Sequence, residues 1–336
     1  MDASIAAELA DQVTRALADA ADVTTLRAVE SGAFPDDAWA ALDGLGLATA
    51  LVPEALGGAG LGLADAVPLL EALGRAGAPV PLAEGIGAAA LLAAAGITPP
   101  EGVLTFAASG TPVPWGRHAA HVVLVDGAQL ALYAAGALRW TEGANIAREP
   151  RDTPRTEAAP IAEGNLPNAW GSDAARALTA LLRSAQIAGA LQAALALAVD
   201  HARTRKQFGR PIGAFQAVQQ QLAVFAAEAS AASVAAAAAA RAADARGVAD
   251  AAFEIGCAKV TAGEAAAKGA AIAHQVLAAM GITEEHALHH TTRRLWSWRE
   301  EGGTERFWSG RIGALVQSMP GPLWPFLTSR DQEPAA

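Results

Sequence analysis

Residues 201–223 read HARTRKQFGRPIGAFQAVQQQLA, and this stretch decides how the second half of the chain is built. Its centre, FGRPIG at 208–213, holds two glycines and a proline. Glycine gives up too much backbone freedom in a helix and proline lacks the N–H, so a helix stops here. Upstream, Leu178, Leu181, Leu182, Leu191, Leu195 and Val199 lie on one helical stripe, and Ser172 can cap that helix by accepting from its first free N–H groups. Downstream, Phe215, Val218, Leu222 and Phe225 repeat at alternating three- and four-residue spacing, again the mark of a helix with one apolar face. Two long helices joined by a short loop run antiparallel. Further helices are expected at about 248–280, 288–298 and 304–317. Residues 167–322 are therefore predicted to form an antiparallel four-helix bundle, with 323–336 as a flexible tail.

Working back towards the start, the texture changes twice. Residues 2–20, 36–45, 63–73 and 83–95 have helical spacing, and Gly57, Gly58, Gly60 and Gly62 break it with an irregular loop. This gives a helical N-terminal domain over 1–100. Between 101 and 166 the runs shorten to VLTFAA (103–108), HVVLV (121–125) and QLALY (129–133), with Asp126-Gly127 as a tight turn and prolines at 112, 114, 150, 154 and 160. These are strand signals, and they predict a reduced middle β domain. The expected fold class is mainly α with a small β domain.

Composition narrows the function. A net charge of −10 argues against nucleic acid as a partner, because that binding needs clustered Lys and Arg. One cysteine, Cys257, excludes an internal disulfide and a cysteine-based metal cluster. The N-terminus carries acids where a signal peptide carries bases, and prolines or glutamines interrupt the longest charge-free runs, so a soluble cytoplasmic protein without a membrane span is expected. Hydrophobic residues make up 52% and charged ones 17%, which points to surfaces covered by other chains and so to an oligomer. His286 and His289 share a helix face beside His290, but no acid or cysteine completes a ligand set, and no metal is expected. The glycines at 58, 60 and 62 follow no strand, so they do not form a dinucleotide loop.

Three stretches together resemble the acyl-CoA dehydrogenase superfamily: VPEALGGAGLGLADAVPLLEALGRAGAPVPL (52–82), the 201–223 stretch, and HQVLAAMGITEEHALHHTTRRLWSWREEGGTERFWSGRIGALV (274–316). Within the last, TRRLWSWREE is similar to the subfamily of heteromeric enzymes acting on sterol side chains and other bulky acyl thioesters. The resemblance implies FAD as cofactor. Arg205, Gln207 and Phe208 would then reach a flavin dinucleotide held by the neighbouring subunit. A guanidinium suits a pyrophosphate and an aromatic ring packs on a ring system. Gln275, Gly281 and Thr304 would add contacts, while Ala278 and Ala279 stand where paired glycines are usual.

The family's catalytic base is a Glu immediately before a Gly-Thr. Matching that pair to Gly303-Thr304 puts Gly302 at the Glu position. Glu301, one residue earlier, is the first candidate base, and Asp244 on a preceding bundle helix is the second. The resemblance implies α,β-dehydrogenation of an acyl-CoA to the trans-2-enoyl-CoA, with an electron-transfer flavoprotein as acceptor. The assembly would be a homo-oligomer or an α2β2-type heteromer with a sister dehydrogenase. The other reading is a non-catalytic subunit that completes the partner's flavin site. Gly302, the alanines at 278–279 and the reduced β region favour it.

Overall fold

The computed structural model describes residues 3–20, 22–283 and 286–330. The N-terminal region holds α1 (Ala3–Ala20), α2 (Val23–Glu30), α3 (Asp36–Asp43), α4 (Leu63–Ala76) and α5 (Leu82–Ala94). Helix α2 is not anticipated by periodicity because eight residues make barely two turns. Asp22 starts it by accepting from the Thr25 N–H at 2.8 Å, and Leu26 and Val29 bury its inner face. Helix α5 is buried from Leu82 to Leu92, which fits a segment hydrophobic all round.

The middle region forms two small sheets from β1 (Leu104–Ala108), β2 (Val113–Pro114), β3 (His121–Asp126), β4 (Gln129–Ala134), β5 (Arg139–Thr141), β6 (Arg151–Arg155) and β7 (Ala162–Asn165). One sheet has the order β1-β3-β4-β7 and the other β2-β6-β5. Strands β1 and β3 are parallel, with Leu104 opposite His121, while β3 and β4 pair antiparallel with Asp126 opposite Gln129. The hairpin turn is thus Gly127-Ala128, one residue later than expected, and Gly127 supplies the positive φ of 61°.

The second half is helical: α6 (Ala174–Thr204), a minute hairpin of β8 (Lys206–Gln207) and β9 (Arg210–Pro211), then α7 (Gln216–Arg246), α8 (Ala252–Leu277), α9 (Leu288–Glu300), α10 (Glu305–Ser318) and α11 (Leu323–Ser329). Alanines such as Ala194, Ala232, Ala262 and Ala266 are fully or almost fully buried. They let α6, α7 and α8 approach closely, while Leu191 and Phe225 fill the remaining space. Each of those two larger side chains contributes about 1.5–3 kcal/mol on burial. Helices α6 and α7 are long and apolar enough to cross a membrane by length and composition alone. Helix α6 is mostly buried within the bundle, whereas α7 leaves Val224 and Val234 half to two-thirds exposed.

Two expectations need correction. Ser172 does not cap α6. Asp173 occupies the N-cap position, and its carboxylate instead holds Arg176 at 3.1 Å and pairs with Arg311. Nor is 323–330 a flexible tail. It forms α11, and Arg330 ties it to the α7–α8 corner, donating to Glu254 Oε2 at 2.8 Å and to the Asp250 carbonyl at 2.9 Å. The same guanidinium stacks 4.5 Å over the Phe326 ring. The last residues of the expected tail, 331–336, lie outside the described residues.

Candidate functional site

A cavity of about 670 Å³ opens between β1, β2, the first turns of α6 and the turn joining α9 to α10. Phe106, Ala108, Pro114 and Phe307 make it largely apolar, and Thr179, Gly302 and Gly303 also line it. The two carboxylates on its lining are Glu300 and Glu301.

Glu301 is fully engaged. Its Oε1 lies 2.6 Å from Arg151 Nη2 and its Oε2 2.7 Å from Arg183 Nε, and Asn145 donates to Oε1 at 3.2 Å. Burial alone pushes a carboxyl upward, but Arg151 and Arg183 together with the Asn145 hydrogen bond outweigh it, holding Glu301 at about 2. A general base works best with a pKa near the working pH. Glu301 is therefore an anchor between two guanidinium groups, an unfavourable setting for the general base expected of it.

The anchor belongs to a larger buried network. Arg183 also pairs with Glu84 on α5 and bonds Gln186. Burial by itself lowers the affinity of Arg183 for its proton, but Glu301, Glu84 and Glu149 reverse that and raise its pKa. Arg151 reaches Glu149 at 3.2 Å, and Glu149 in turn lies 3.1 Å from Arg294 Nε on α9. None of Glu84, Glu149, Arg151 or Arg183 stands out from the motifs. The available signal was a lone charge in an apolar run, as in ALTALLRSAQIAGAL around Arg183, since charges are rarely buried unless paired.

Gly302 closes the position that the family match assigns to the base. Its φ is +69°, and a Cβ there would lie 2.5 Å from the Ala180 backbone N on α6. Trp308 Nε1 donates to the Gly302 carbonyl at 2.9 Å and fixes the turn in this place. Asp244, the second candidate base, does not line this cavity. It sits at the far end of α7, where its carboxylate accepts from Leu63 N at 2.8 Å and Ala64 N at 2.9 Å. It caps α4, favourably for that helix's dipole, and lines a separate hollow.

The residues expected to touch a cofactor fall at two ends of the bundle. Arg205, Gln207 and Phe208 belong to the β8–β9 hairpin, with Phe208-Gly209 as its two-residue loop. Phe208 has φ 50° and is 92% exposed; a bulky residue in that backbone region is an outlier. Gln275 is exposed near the end of α8, while Gly281 is buried against Leu277, Leu288 and His274. Ala278 takes φ 52°, a conformation that suits glycine better. These groups share one end of the bundle, where His201 in the last turn of α6 feels the charge of His286. The pKa of His201 is lowered first by burial and then by that neighbour. Thr304 is elsewhere: it lines the cavity and caps α10, accepting from Phe307 N at 3.3 Å. Along α6, the rise of about 1.5 Å per residue separates Thr179 from the hairpin by roughly 35–40 Å. The hairpin and the cavity of one chain therefore do not meet.

A family model described as acyl-CoA dehydrogenase, C-terminal domain, matches residues 175–314, and one described as the N-terminal domain matches residues 5–98. The acyl-CoA dehydrogenase IpdE2 of Mycobacterium tuberculosis is 33% identical over 299 residues, which is 87% of this chain and 88% of the relative. This chain belongs to the acyl-CoA dehydrogenase family. The acyl-CoA dehydrogenase fold extends over nearly its whole length. A chain of the ChsE4-ChsE5 complex from Mycobacterium tuberculosis superposes with a TM-score of 0.84 at 24% identity, covering 96% of this chain and 99% of that one. A chain of the Tcur3481-Tcur3483 steroid ACAD (G363A variant) gives 0.81 at 27% identity, covering 94% and 98%. In this member of the family, the residue before Gly303-Thr304 is a glycine packed on a helix backbone.

Proposed function

We propose that this chain is the non-catalytic member of a heteromeric acyl-CoA dehydrogenase, lending its 205–208 hairpin to the flavin site of a sister subunit. The observation that carries this reading is the pairing of a sterically closed Gly302 with a Glu301 locked between Arg151 and Arg183. The chain then supplies no proton acceptor at the family's usual position. In the assembly, an acyl-CoA is converted to its trans-2-enoyl-CoA, with the base on the sister subunit and an electron-transfer flavoprotein as acceptor.

The residues fit FAD at the hairpin and not in the chain's own cavity. Arg205, Gln207 and Phe208 are all exposed, so a guanidinium, an amide and an aromatic ring stand free for a pyrophosphate and a ring system on another chain. Arg151 at the cavity is instead already neutralised by Glu301 and Glu149. When bound, FAD supplies the hydride acceptor. This chain's part is to bind and orient it and to exclude water from one side. The Tcur3481-Tcur3483 steroid ACAD, at 27% identity, is named for two components, which agrees with an α2β2-type assembly and a bulky acyl group.

A second reading keeps the dehydrogenation within this chain. It is favoured by the cavity of about 670 Å³ with Glu300, 57% exposed, at its lining. Purification separates the two. The chain alone is expected to be colourless, and to yield a yellow complex only when co-expressed with a sister dehydrogenase. Phe208→Ala and Arg205→Ala should lower the flavin content of that complex about tenfold or more, with no change in the melting temperature of the chain by itself. A yellow homomer bleached by acyl-CoA would support the second reading instead.

A further inference from the structure

Helix α8 carries an ammonium in its interior. Lys259 exposes none of its surface, and a charge so placed costs stability unless it is compensated. Its Nζ donates to the Arg299 carbonyl at 2.5 Å. That carbonyl is in the last turn of α9, where backbone oxygens lack helical partners and the dipole is negative. One turn further along α8, Gly263 leaves a notch. A Cβ there would lie 2.0 Å from Glu305 Oε1, so the Glu305 carboxylate occupies the space that a side chain would take. Glu305 then pairs back to Arg299 Nε at 2.9 Å. Arg299 and Glu305 are the two ends of the turn 300–304, and α8 holds both.

We infer that Lys259 is the positioning residue of this turn: it pins the end of α9 so that residues 300–304, one wall of the cavity, keep a single conformation. The inference concerns the wall itself and holds whichever subunit performs the chemistry. The charged groups facing Lys259 are Glu305 on α10, Glu301 in the turn and Glu300 at the end of α9, with Arg183 on α6 opposing them. Burial is the largest influence and brings the lysine down to about 8. The folded pKa lies below the ordinary lysine value, so the buried charge costs stability below about pH 8, and the cost is relieved as pH rises towards the ordinary value.

Positioning and stability therefore move in opposite directions, and this makes the test specific. In Lys259→Met, global stability at pH 7 should hold or rise, because an apolar residue replaces a buried charge. Amide exchange across 300–304 should nonetheless accelerate about tenfold. Unchanged protection of those amides in a folded variant overturns the inference. If Lys259→Met does not fold, the wild-type chain still decides. With ¹⁵N-labelled tryptophan, the Trp308 indole signal should titrate with a midpoint near 8. Glu305→Gln should move that midpoint downward by removing the strongest favourable charge. A Trp308 signal that does not move between about pH 7 and 9, or a midpoint indifferent to Glu305→Gln, is the opposite result.

Discussion

Replacing Arg183 with methionine is expected to lower the free energy of unfolding by about 3–5 kcal/mol, read from the midpoint of urea denaturation. The side chain is buried between Glu84 on α5 and Glu301 in the α9–α10 turn. Its removal strands the buried Glu84 carboxylate and leaves Glu301 to Arg151 and Asn145 alone. The loss comes from the charges left behind and not from missing attraction alone. A triple variant that also carries Glu84→Leu and Glu301→Gln should therefore recover most of it. A loss below about 1 kcal/mol would place Arg183 among ordinary surface ion pairs and sink the account. The same network sets the acid limb of stability. Glu301 sits at about 2 in the folded chain against an ordinary 4.5, so its contribution is complete above the ordinary carboxyl value and drains away as pH falls through that value towards 2. Arg183→Met should flatten this limb in an acid titration followed by circular dichroism.

The second large effect concerns Gly302→Glu, which rebuilds in sequence the carboxylate that the family places before Gly-Thr. It is expected to damage the chain and to confer no activity. The new Cβ would meet the α6 backbone 2.5 Å away, from a φ of +69°. Forcing atoms into a packed contact costs about 1–3 kcal/mol, and a non-glycine residue in the left-handed region costs about 1–2 kcal/mol more. The melting temperature should fall by several degrees, and the purified variant should remain colourless towards acyl-CoA. A stable, yellow Gly302→Glu chain whose flavin is reduced by acyl-CoA would show that the turn can move off α6, and that the base was lost by substitution alone.

How much of this was legible in the sequence varied with the physical source of each feature. The bundle was readable because Leu191, Leu195 and Val199 obey one period and FGRPIG interrupts it, both being local properties. The β region was readable in its strands for the same reason, although the hairpin turn shifted by one residue to let Gly127 take the positive φ. Glu301 and Asp244 are legible as residues, but the partners that hold them are not. Sequence distance carries no record of Arg151 and Arg183, 150 and 118 residues away from Glu301, or of the α4 terminus that Asp244 caps from 181 residues away. Ser172 is not the cap of α6: Asp173 stands at the N-cap position with its carboxylate turned to Arg176 and Arg311. Lys259 and Glu84 looked like isolated charges in apolar helices, and only the fold brings their partners to them.

Phe208, turned outward on a left-handed backbone, has a consequence for how much of this protein a cell can hold. Farther along the same bundle, Val224 and Val234 on α7 are also exposed apolar side chains. Under the proposed assembly, every copy that finds no sister chain keeps this surface in water, where it attracts chaperones, proteases or other orphan copies. The scarcer chain then sets the abundance of the pair, and matched synthesis of the two becomes a requirement written into one exposed ring.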